Sequence, residues 1–575
     1  MAKTILACYK NPQLVDFETF GRAAAERLAP DNAVASDPYI SFDEKVKTLI
    51  YNPTPTIRTD GQNVCMGICE ETDDLFVPDT PLPNGSYALF RAGEDKIEVA
   101  SDFASSRTIW YYSDDEVFMA STSQRLMIAL LGSLELNEKA CGWFLCSGTL
   151  GPGQSWDKRI KMVPPRTRLV LDRDTWEVSV EKNADFSFEG NSTVELDTSE
   201  YKKRLEDVVE KAVKRLNINP AEWTLALSGG MDSRSLLYYL QDKNLDTVTW
   251  GLRRSMDLST SDARIAKKLA KMCSVPHRYA EMDFKTGSFP TLIDRFLNAG
   301  ECRIDHLAAY FDCLDVWGQI SASGRGVIRG YDAFGRKPPV TNAYQVRRTC
   351  NLSMSNYDNA KIPEQFNITT EDIPERLRQK ESESFEDWRD RLWLQHRTPI
   401  TTAALEDIKL AYVEVINPLL SQEVVRTVQE LPVELRTNKK VWDYIVSDMF
   451  PGVPFAKRDA IQEVAEVLNL PDVRKYICDS LLTYEDSALF PKSFLTYLVA
   501  NYNKDRRRDG LRKRARIFIL AYMPKRIENF IRSHVSAGPL SHPFLALRTM
   551  MMLKMRDILV EDAQTEKHLR KATLI

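Results

Sequence analysis

The sequence lacks any apolar run near the roughly 20 residues that a helix needs to span a bilayer. The apolar stretch near its start, residues 4–9, is too short for a signal peptide. The chain also has a net charge of only −4 over 575 residues. Its overall electrostatic field therefore does not favour nucleic acid or an anionic membrane as a partner. With 43% hydrophobic and 27% charged residues, the composition is that of an ordinary soluble globular protein. We therefore expect a cytoplasmic protein with no membrane span and no nucleic-acid partner.

Cysteine and histidine are sparse, at ten and six residues. Cys65 and Cys69, and Cys141 and Cys146, are the close cysteine pairs, and no histidine or further cysteine pair stands beside them at zinc spacing. This distribution predicts a reducing compartment and buried free thiols. The histidines have no ligand-like spacing either. We interpret them as structural, with residues 305–306, Asp-His, as a candidate for a substrate pocket.

The length is too great for one compact core and predicts two or more domains. Short strands and turns fill the first part of the chain, with hairpins predicted over residues 110–120 and 168–179. A polar, turn-rich stretch at residues 184–200 then interrupts the pattern. We predict an N-terminal domain over residues 1–190 and a second domain over residues 200–575.

The second domain opens with strand–helix alternation. The predicted strands lie at residues 223–227 and 247–250, with a third candidate at 277–282, and predicted helices begin at 234 and 263. Alternation at this spacing is typical of a doubly wound parallel sheet. The chain past residue 400 reads as mostly helical. The predicted fold class is therefore α/β, with a parallel sheet and a helical C-terminal region behind an α+β N-terminal sandwich.

The strongest motif is the turn between the first of these strands and its helix, which we call the SGG loop (residues 228–233). It reads Ser228-Gly229-Gly230-Met231-Asp232-Ser233. The glycines allow a tight turn that exposes consecutive N–H groups beside the positive end of a helix, which together form an anion cradle. Asp232 stands where a carboxylate would hold Mg²⁺ against phosphates. The alternative interpretation is a simple Gly-Gly turn at a strand–helix junction.

Ser-Gly-Gly-x-Asp-Ser resembles the pyrophosphate loop of N-type ATP pyrophosphatases, and it lacks the Gly-Lys-Ser/Thr of a kinase-type loop. The resemblance implies ATP binding and the release of pyrophosphate after an adenylate forms. It assigns nucleotide contacts to Ser228, Gly229, Gly230, Asp232 and Ser233. It also implies that residues 249–251, ending in Gly251, support the adenine. Asp262 resembles an acidic residue near the pyrophosphate, or it is a plain carboxylate at a helix N-terminus.

A wider resemblance points to the asparagine synthetases. Residues 416–425, 430–432 and 440–442 are similar to that family's "nPlLd…vve…lP" stretch and the helix after it, and residues 450–458 to its "lP…i.fR.K" segment. The resemblance implies that Lys457, or Arg458 with a shift of one residue, steadies the charge that develops when an amine attacks the acyl-adenylate.

The N-terminal part, over residues 84–122 and 163–167, resembles the family's glutaminase half. Such a glutaminase needs cysteine at position 2, and this chain has Ala2; Cys8 cannot supply both the thiolate and the α-amine. We therefore expect a glutaminase-like sandwich retained as a scaffold, without glutamine hydrolysis.

A second departure lies at residues 327–335, where the family carries "GEGsDExfgG". The resemblance implies that Asp332 is the second Mg²⁺ ligand, although a shift of the alignment by one residue would place Tyr331 at this position. It also implies that Asp232, Asp332 and Lys457 are the catalytic residues. Arg329 falls where relatives place a glutamate, tyrosine or histidine near the attacking amine. The substrate and the proton acceptor therefore stay open.

The resemblance as a whole implies an ATP- and Mg²⁺-dependent, AMP-forming ligase that makes an amide from a small-molecule or peptide acid. Cysteine-lacking relatives such as lasso-peptide cyclases and β-lactam synthetases use an amine on the substrate itself, giving a lactam or macrolactam. The alternatives are an amidotransferase that uses free ammonia on a sugar acid or amino acid, and a non-catalytic nucleotide-binding relative. The basic segment 504–526, with ten Lys and Arg, is either a solvated helix face or a docking surface for a leader peptide or carrier.

Overall fold

The computed structural model describes residues 2–12, 16–182, 197–216, 218–331, 334, 338–353, 362–457, 460–484, 487–503 and 540–565. Two antiparallel sheets form the N-terminal part, and a parallel sheet with helices on both faces follows. The predicted α/β class is therefore confirmed. Asp332, Arg458 and the basic segment 504–526 lie outside the described residues. Among those that are described, no helix is both long enough and apolar enough to cross a membrane.

The strands of the two N-terminal sheets are β1 (Lys3–Tyr9), β2 (Tyr39–Phe42), β3 (Val46–Tyr51), β4 (Arg58–Asp60), β5 (Asn63–Cys69), β6 (Gly85–Ala92), β7 (Lys96–Ser101), β8 (Trp110–Ser113), β9 (Val117–Ser121), β10 (Lys161–Met162), β11 (Thr167–Asp172) and β12 (Val178–Lys182). The first sheet runs β10-β8-β9-β1-β3-β2 and the second β12-β11-β7-β6-β5-β4. Both hairpins predicted from sequence are present, as β8–β9 and β11–β12.

Strand β1 shows how these sheets are layered. Its side chains alternate, as a strand requires. Leu6 and Cys8 join the apolar core between the two sheets, whereas Ile5 and Ala7 face a larger core on the other side. The helices α1 (Phe17–Leu28) and α2 (Gln124–Leu131) pack on that outer face, against β3 and β9.

The parallel sheet contains β13 (Trp223–Ala226), β14 (Asp246–Gly251), β15 (His277–Glu281), β16 (Gly326–Ile328) and β17 (Val415–Ile416). Its spatial order is β15-β14-β13-β16-β17, with every pair parallel. The chain therefore winds outward from β13 in one direction and then from β16 in the other. The crevice at the carboxyl ends of β13 and β16 is the topological switch point, where such sheets bind ligands.

The remaining α-helices are α3 (Glu138–Ser147), α4 (Thr198–Lys214), α5 (Met231–Leu240), α6 (Asp262–Met272), α7 (Phe289–Gly300), α8 (Asp315–Ala322), α9 (Ala343–Thr349), α10 (Phe385–Leu392), α11 (Ala403–Leu410), α12 (Gln422–Glu430), α13 (Val433–Arg436), α14 (Lys440–Met449), α15 (Val464–Leu468), α16 (Pro471–Thr483), α17 (Lys492–Asn501) and α18 (His542–Asp562). A π-helix, Trp393–Thr402, joins α10 to α11.

Helices cover both faces of the parallel sheet. Apolar residues of α4, α5, α6, α12 and α14 form one core with β13, and α7, α8, α11 and α18 belong to the core on the other face. Both faces of β13 are thus closed, and only the ends of the strands remain for a ligand.

Candidate nucleotide site

The SGG loop lies at the switch point, between the end of β13 and the start of α5. Gly230 is extended, at φ −81° and ψ 179°, and caps α5 without a side-chain bond. The helix therefore begins directly at Met231, with its positive end toward the crevice. The sequence predicted this strand–turn–helix junction.

Hydrogen bonds within the SGG loop hold its shape. Ser233 Oγ accepts from the backbone N–H of Ser228 at 3.0 Å and lies 2.9 Å from Ser228 Oγ. Ser228 Oγ in turn accepts from the N–H of Gly230 at 3.2 Å. Both serine hydroxyls therefore preorganise the loop backbone. Their mutual bond uses one of the two hydroxyl protons, so one hydroxyl of the pair is left to donate to a phosphate oxygen.

A covering segment, residues 454–457 and 460, crosses the loop. The N–H of Ala456 donates to the carbonyl of Gly229 at 3.0 Å. On the other side of Gly229, Asp262 Oδ1 accepts from the Gly229 N–H at 2.9 Å. A Cβ at position 229 would lie 2.6 Å from Cβ of Ala456, so only glycine fits. Asp262 thus acts on the loop backbone, as the first residue of α6.

Asp232 has two partners that sequence reasoning did not identify. Lys439 Nζ donates to its Oδ2 at 2.7 Å, and Trp442 Nε1 donates to its Oδ1 at 3.0 Å. The side chains of Asp232 and Lys439 are each 17% exposed. A lysine ammonium group beside the loop adds positive charge where the phosphates of a nucleotide would lie. The sequence signal is the pair Lys439-Lys440, but the family resemblance pointed to Lys440.

Beside phosphates, proteins commonly hold Mg²⁺ through one or two carboxylates and through the phosphates themselves. The described residues fit a magnesium ion that is bound in this way. Asp232 is such a carboxylate, and each of its oxygens keeps a lone pair beyond the bonds to Lys439 and Trp442. Within the described residues, no group of three His, Cys, Asp or Glu residues forms a self-sufficient metal site.

Gly251 ends β14 under the covering segment. A Cβ there would lie 2.5 Å from Cβ of Ala460 and 2.9 Å from the hydroxyl of Tyr279, so the position requires glycine. The N–H of Leu252 donates to the carbonyl of Ala460 at 2.7 Å. The neighbouring Trp250 packs edge-on against Trp317, with ring centroids 5.1 Å apart. The strand that was predicted to support an adenine therefore ends against the covering segment.

Lys457 is exposed at the edge of this site. Its backbone N–H donates to the carbonyl of Thr260 at 2.9 Å, which fixes it next to the start of α6. Its ammonium group has no hydrogen-bond or ion-pair partner among the described residues. The side chain is thus placed near the loop and available to a ligand.

A second group of charges stands on the other side of the loop, after β16. We call it the Arg329 cluster (Arg329, Glu406 and Lys409). Arg329 Nη1 donates to Glu406 Oε1 at 2.8 Å, and Lys409 Nζ lies 3.7 Å from the same oxygen. Gly330 connects the cluster to the SGG loop, since a Cβ on it would lie 2.7 Å from the carbonyl carbon of Asp232. Sequence reasoning found Arg329 but not its two partners.

The Arg329 cluster is strongly buried, and this shifts its electrostatics. Glu406 and Lys409 are 5% and 4% exposed. Burial and the charge of Arg329 lower the pKa of Lys409 to about 7, although Glu406 raises it. Oε2 of Glu406 has no hydrogen-bond partner among the described residues. The cluster therefore offers one unsatisfied acceptor and one amine close to neutrality.

Ala2, which stands where the family resemblance would require a cysteine, is buried. Ala2 is 8% exposed and belongs to the apolar core between the two N-terminal sheets. Next to it, Lys3 is buried and forms an ion pair with Asp407 of α11. Arg303 binds the other oxygen of Asp407 at 3.1 Å. The start of β1 is thus tied to the C-terminal half by buried charges.

Fold and loop together define an α/β protein with a Gly-Gly turn between strand and helix at its switch point. The family model for asparagine synthase matches residues 204–302, which contain the SGG loop and Asp262. The predicted resemblance to asparagine synthetases is confirmed over this segment, and the match supports the general class of ATP-using, amide-forming synthetases. Comparison with curated proteins gave no match.

Three solved structures were also compared. An allosteric regulatory enzyme of purine biosynthesis is 9% identical, with 48% of this chain and 80% of that chain covered at a TM-score of 0.20. The glutamine PRPP amidotransferase of B. subtilis is 8% identical, covering 48% and 65% at 0.19. The NMN synthetase of Francisella tularensis is 16% identical, covering 38% and 94% at 0.15. These scores are too low to carry an argument.

Proposed function

We propose that the protein is an ATP-dependent ligase that adenylates a substrate carboxylate, releases pyrophosphate and couples the acyl group to an amine. The observation that carries this proposal is the SGG loop at the switch point, with Lys439 donating to the carboxylate of Asp232 in the loop at 2.7 Å. A phosphate cradle, a carboxylate and a lysine in one crevice suit a leaving group of high negative charge.

In the first step the loop holds the departing phosphates. One hydroxyl of the Ser228–Ser233 pair and the positive end of α5 bind phosphate oxygens, and Lys439 offsets the charge that grows as pyrophosphate leaves. Mg²⁺ supplies further charge neutralisation between the phosphates when bound. Asp232 would hold it, with Asp332 as the proposed second ligand.

In the second step an amine attacks the acyl-adenylate and AMP leaves. Lys457 is proposed to steady the developing charge from the covering segment, where its ammonium group is exposed. An attacking amine loses a proton as the amide forms. Oε2 of Glu406 has no hydrogen-bond partner among the described residues, which supports a role of the Arg329 cluster beside the attacking amine.

Burial of Ala2 in an apolar core supports an amine that does not come from glutamine hydrolysis by this chain. We propose an amine carried by the substrate itself, which gives a lactam or macrolactam; free ammonia is the alternative. Mass spectrometry distinguishes the two, because internal closure yields a single product lighter by one water and independent of added ammonium.

The test of adenylation is ATP–pyrophosphate exchange with pools of carboxylic acids. Wild type is compared with Asp232→Asn and with a control, Asp242→Asn, since Asp242 is exposed just beyond the far end of α5. We expect acid-dependent exchange that is lost in Asp232→Asn and kept in the control. ATP binding without exchange from any small-acid or peptide pool would count against adenylation and favour a nucleotide-binding protein.

A further inference from the structure

A cavity of about 420 Å³ lies apart from the SGG loop, where five stretches of the chain meet. Ser147 at the end of α3, His306 with Asp305, Arg348 on α9 and Arg548 on α18 line it. The volume is within the range of small-molecule sites, which is roughly 300 to 1,000 Å³. We call this space the anion cavity.

Arg548 is fixed in the wall and still has a free donor. It is 6% exposed, and its Nε donates to Asp305 Oδ2 at 2.7 Å. Its Nη1 donates to the carbonyls of Leu145 and Cys146 at 2.7 and 3.0 Å. Its Nη2 has no partner among the described residues. A guanidinium group held on one edge and open on the other is preorganised to receive an anion.

Asp305 does not replace the anion at the open edge of Arg548, because both of its carboxylate oxygens already have partners. It is 7% exposed, and His306 Nδ1 lies 3.2 Å from its Oδ1 while Arg548 binds Oδ2. Burial raises its pKa, but the charges of Arg548 and His306 outweigh burial and bring the pKa to about 2. The carboxylate therefore stays ionised and orients the two groups beside it.

Arg348 adds a second cation. It is exposed on α9, lines the cavity, and has no hydrogen-bond or ion-pair partner within the described part of the chain. With Arg348 and Arg548 against Asp305 alone, the charged wall has a net positive charge even when His306 is neutral. An anionic oxygen group, a carboxylate or a phosphate, is the chemistry that satisfies Nη2 of Arg548 and Arg348 together.

The anion cavity is close to the nucleotide site along the chain. Val464 lines the cavity, and Ala460 accepts the hydrogen bond from Leu252 at the end of β14. Val464 lies four positions after Ala460, and a fully extended chain of that length spans at most about 14 Å. The cavity wall at Val464 and the covering segment at Ala460 are therefore at most about 14 Å apart.

We propose that the anion cavity binds a second anionic group of the acid substrate, so that the enzyme selects an acid with a carboxylate or phosphate in addition to the carboxylate that is adenylated. This assignment rests on the proposed function. It explains why residues 305–306 stand at a cavity wall, and it narrows the substrate to a di-anionic acid.

The test measures exchange with matched acids. Dicarboxylic acids such as succinate and glutarate, and phosphorylated hydroxy acids, are compared with the monomethyl esters or unphosphorylated forms. Loss of one charge-assisted hydrogen bond, worth about 1.5–3 kcal/mol, corresponds to a rise in KM of about ten-fold to a hundred-fold. We expect this rise for the mono-anionic forms, and for Arg348→Gln and His306→Gln with the di-anionic acid, with kcat little changed.

Arg347→Gln is the matched control, because Arg347 is the neighbour of Arg348 on α9 and does not line the cavity. Arg548→Lys, which keeps the charge but loses the fork, is a further variant. Equal exchange with mono-anionic and di-anionic acids, or an unchanged KM in Arg348→Gln, would overturn the inference.

A binding assay separates failure of the cavity from failure of the proposed function. Succinate and inorganic phosphate are titrated by NMR into the full chain without ATP. Shifts lost in Arg348→Gln but kept in Arg347→Gln would support the anion site even if no acid gives exchange. Absence of such shifts together with unselective exchange would leave adenylation standing and remove the anion site.

Discussion

Replacement of Gly229 by alanine is expected to displace the SGG loop from the covering segment. The new Cβ would lie 2.6 Å from Cβ of Ala456, 3.0 Å from Cβ of Ile265 and 3.2 Å from Oδ1 of Asp262. Carbon atoms at rest lie about 3.5–4.0 Å apart, so the first contact is too short by about 1 Å. Such overpacking costs about 1–3 kcal/mol. An unfolding entropy of about 2.1 cal/mol/K per residue gives about 1.3 °C per kcal/mol for a domain that spans residues 200–575, so the Tm falls by about 1–4 °C.

The second substitution, Ala456→Gly, removes the nearest atom and keeps the hydrogen bond from its N–H to the carbonyl of Gly229. We expect the double variant to recover most of the lost Tm and ATP affinity. Differential scanning fluorimetry and calorimetry with ATP on the wild type, both single variants and the double variant complete the cycle. Wild-type behaviour of Gly229→Ala, or no recovery in the double variant, would refute this account of the loop.

Three further outcomes are expected. Lys439→Met weakens ATP binding about ten-fold or more, because a charge-assisted contact is lost. Lys440→Met changes only an exposed neighbour and leaves ATP affinity unchanged. Calorimetry with ATP measures both affinities. Arg107→Leu lowers stability by about 3–5 kcal/mol in chemical denaturation, because buried Glu414 loses its ion-pair partner; a loss below 1 kcal/mol would contradict this. Burial lowers the pKa of His396 to about 3, so on acidification the unfolded chain takes up a proton before the folded chain does. The free energy of unfolding therefore decreases as the pH drops below about 6.5, by about 2 kcal/mol at pH 5. We expect His396→Gln to flatten the corresponding decline of Tm with falling pH.

The sequence predicted the elements around the loop because their signals are local. The strand predicted at residues 247–250 is β14, Asp246–Gly251, and the helix predicted at residues 263–272 is α6, Asp262–Met272. Apolar runs, glycines and helix caps act over a few residues, so a single sequence contains them. The parallel, doubly wound character of the sheet also followed from the alternation of strands and helices, whereas the order of its strands was not predicted.

The contacts of the site were not predictable in this way. Lys439 and Trp442 reach Asp232 across 207 and 210 residues of chain, and Glu406 reaches Arg329 across 77. Lys439 has a φ of 59°, in the left-handed region just before α14. This backbone turn directs Lys439, rather than the first residue of the helix, toward the loop, and no local pattern signals it.

Helix α11 connects the N-terminal sheets to the crevice of the parallel sheet. Consecutive helix residues are rotated by about 100°, so neighbours on α11 face different parts of the protein. Asp407 binds Lys3 of β1, whereas Glu406 binds Arg329 on the nucleotide side. Since each of these ion pairs is buried, removal of either partner leaves a charge in the interior that costs several kcal/mol. The N-terminal sheet therefore holds the helix that positions Arg329, one residue from the glycine packed on Asp232. The N-terminal part thus supports the crevice that contains the SGG loop and the Arg329 cluster.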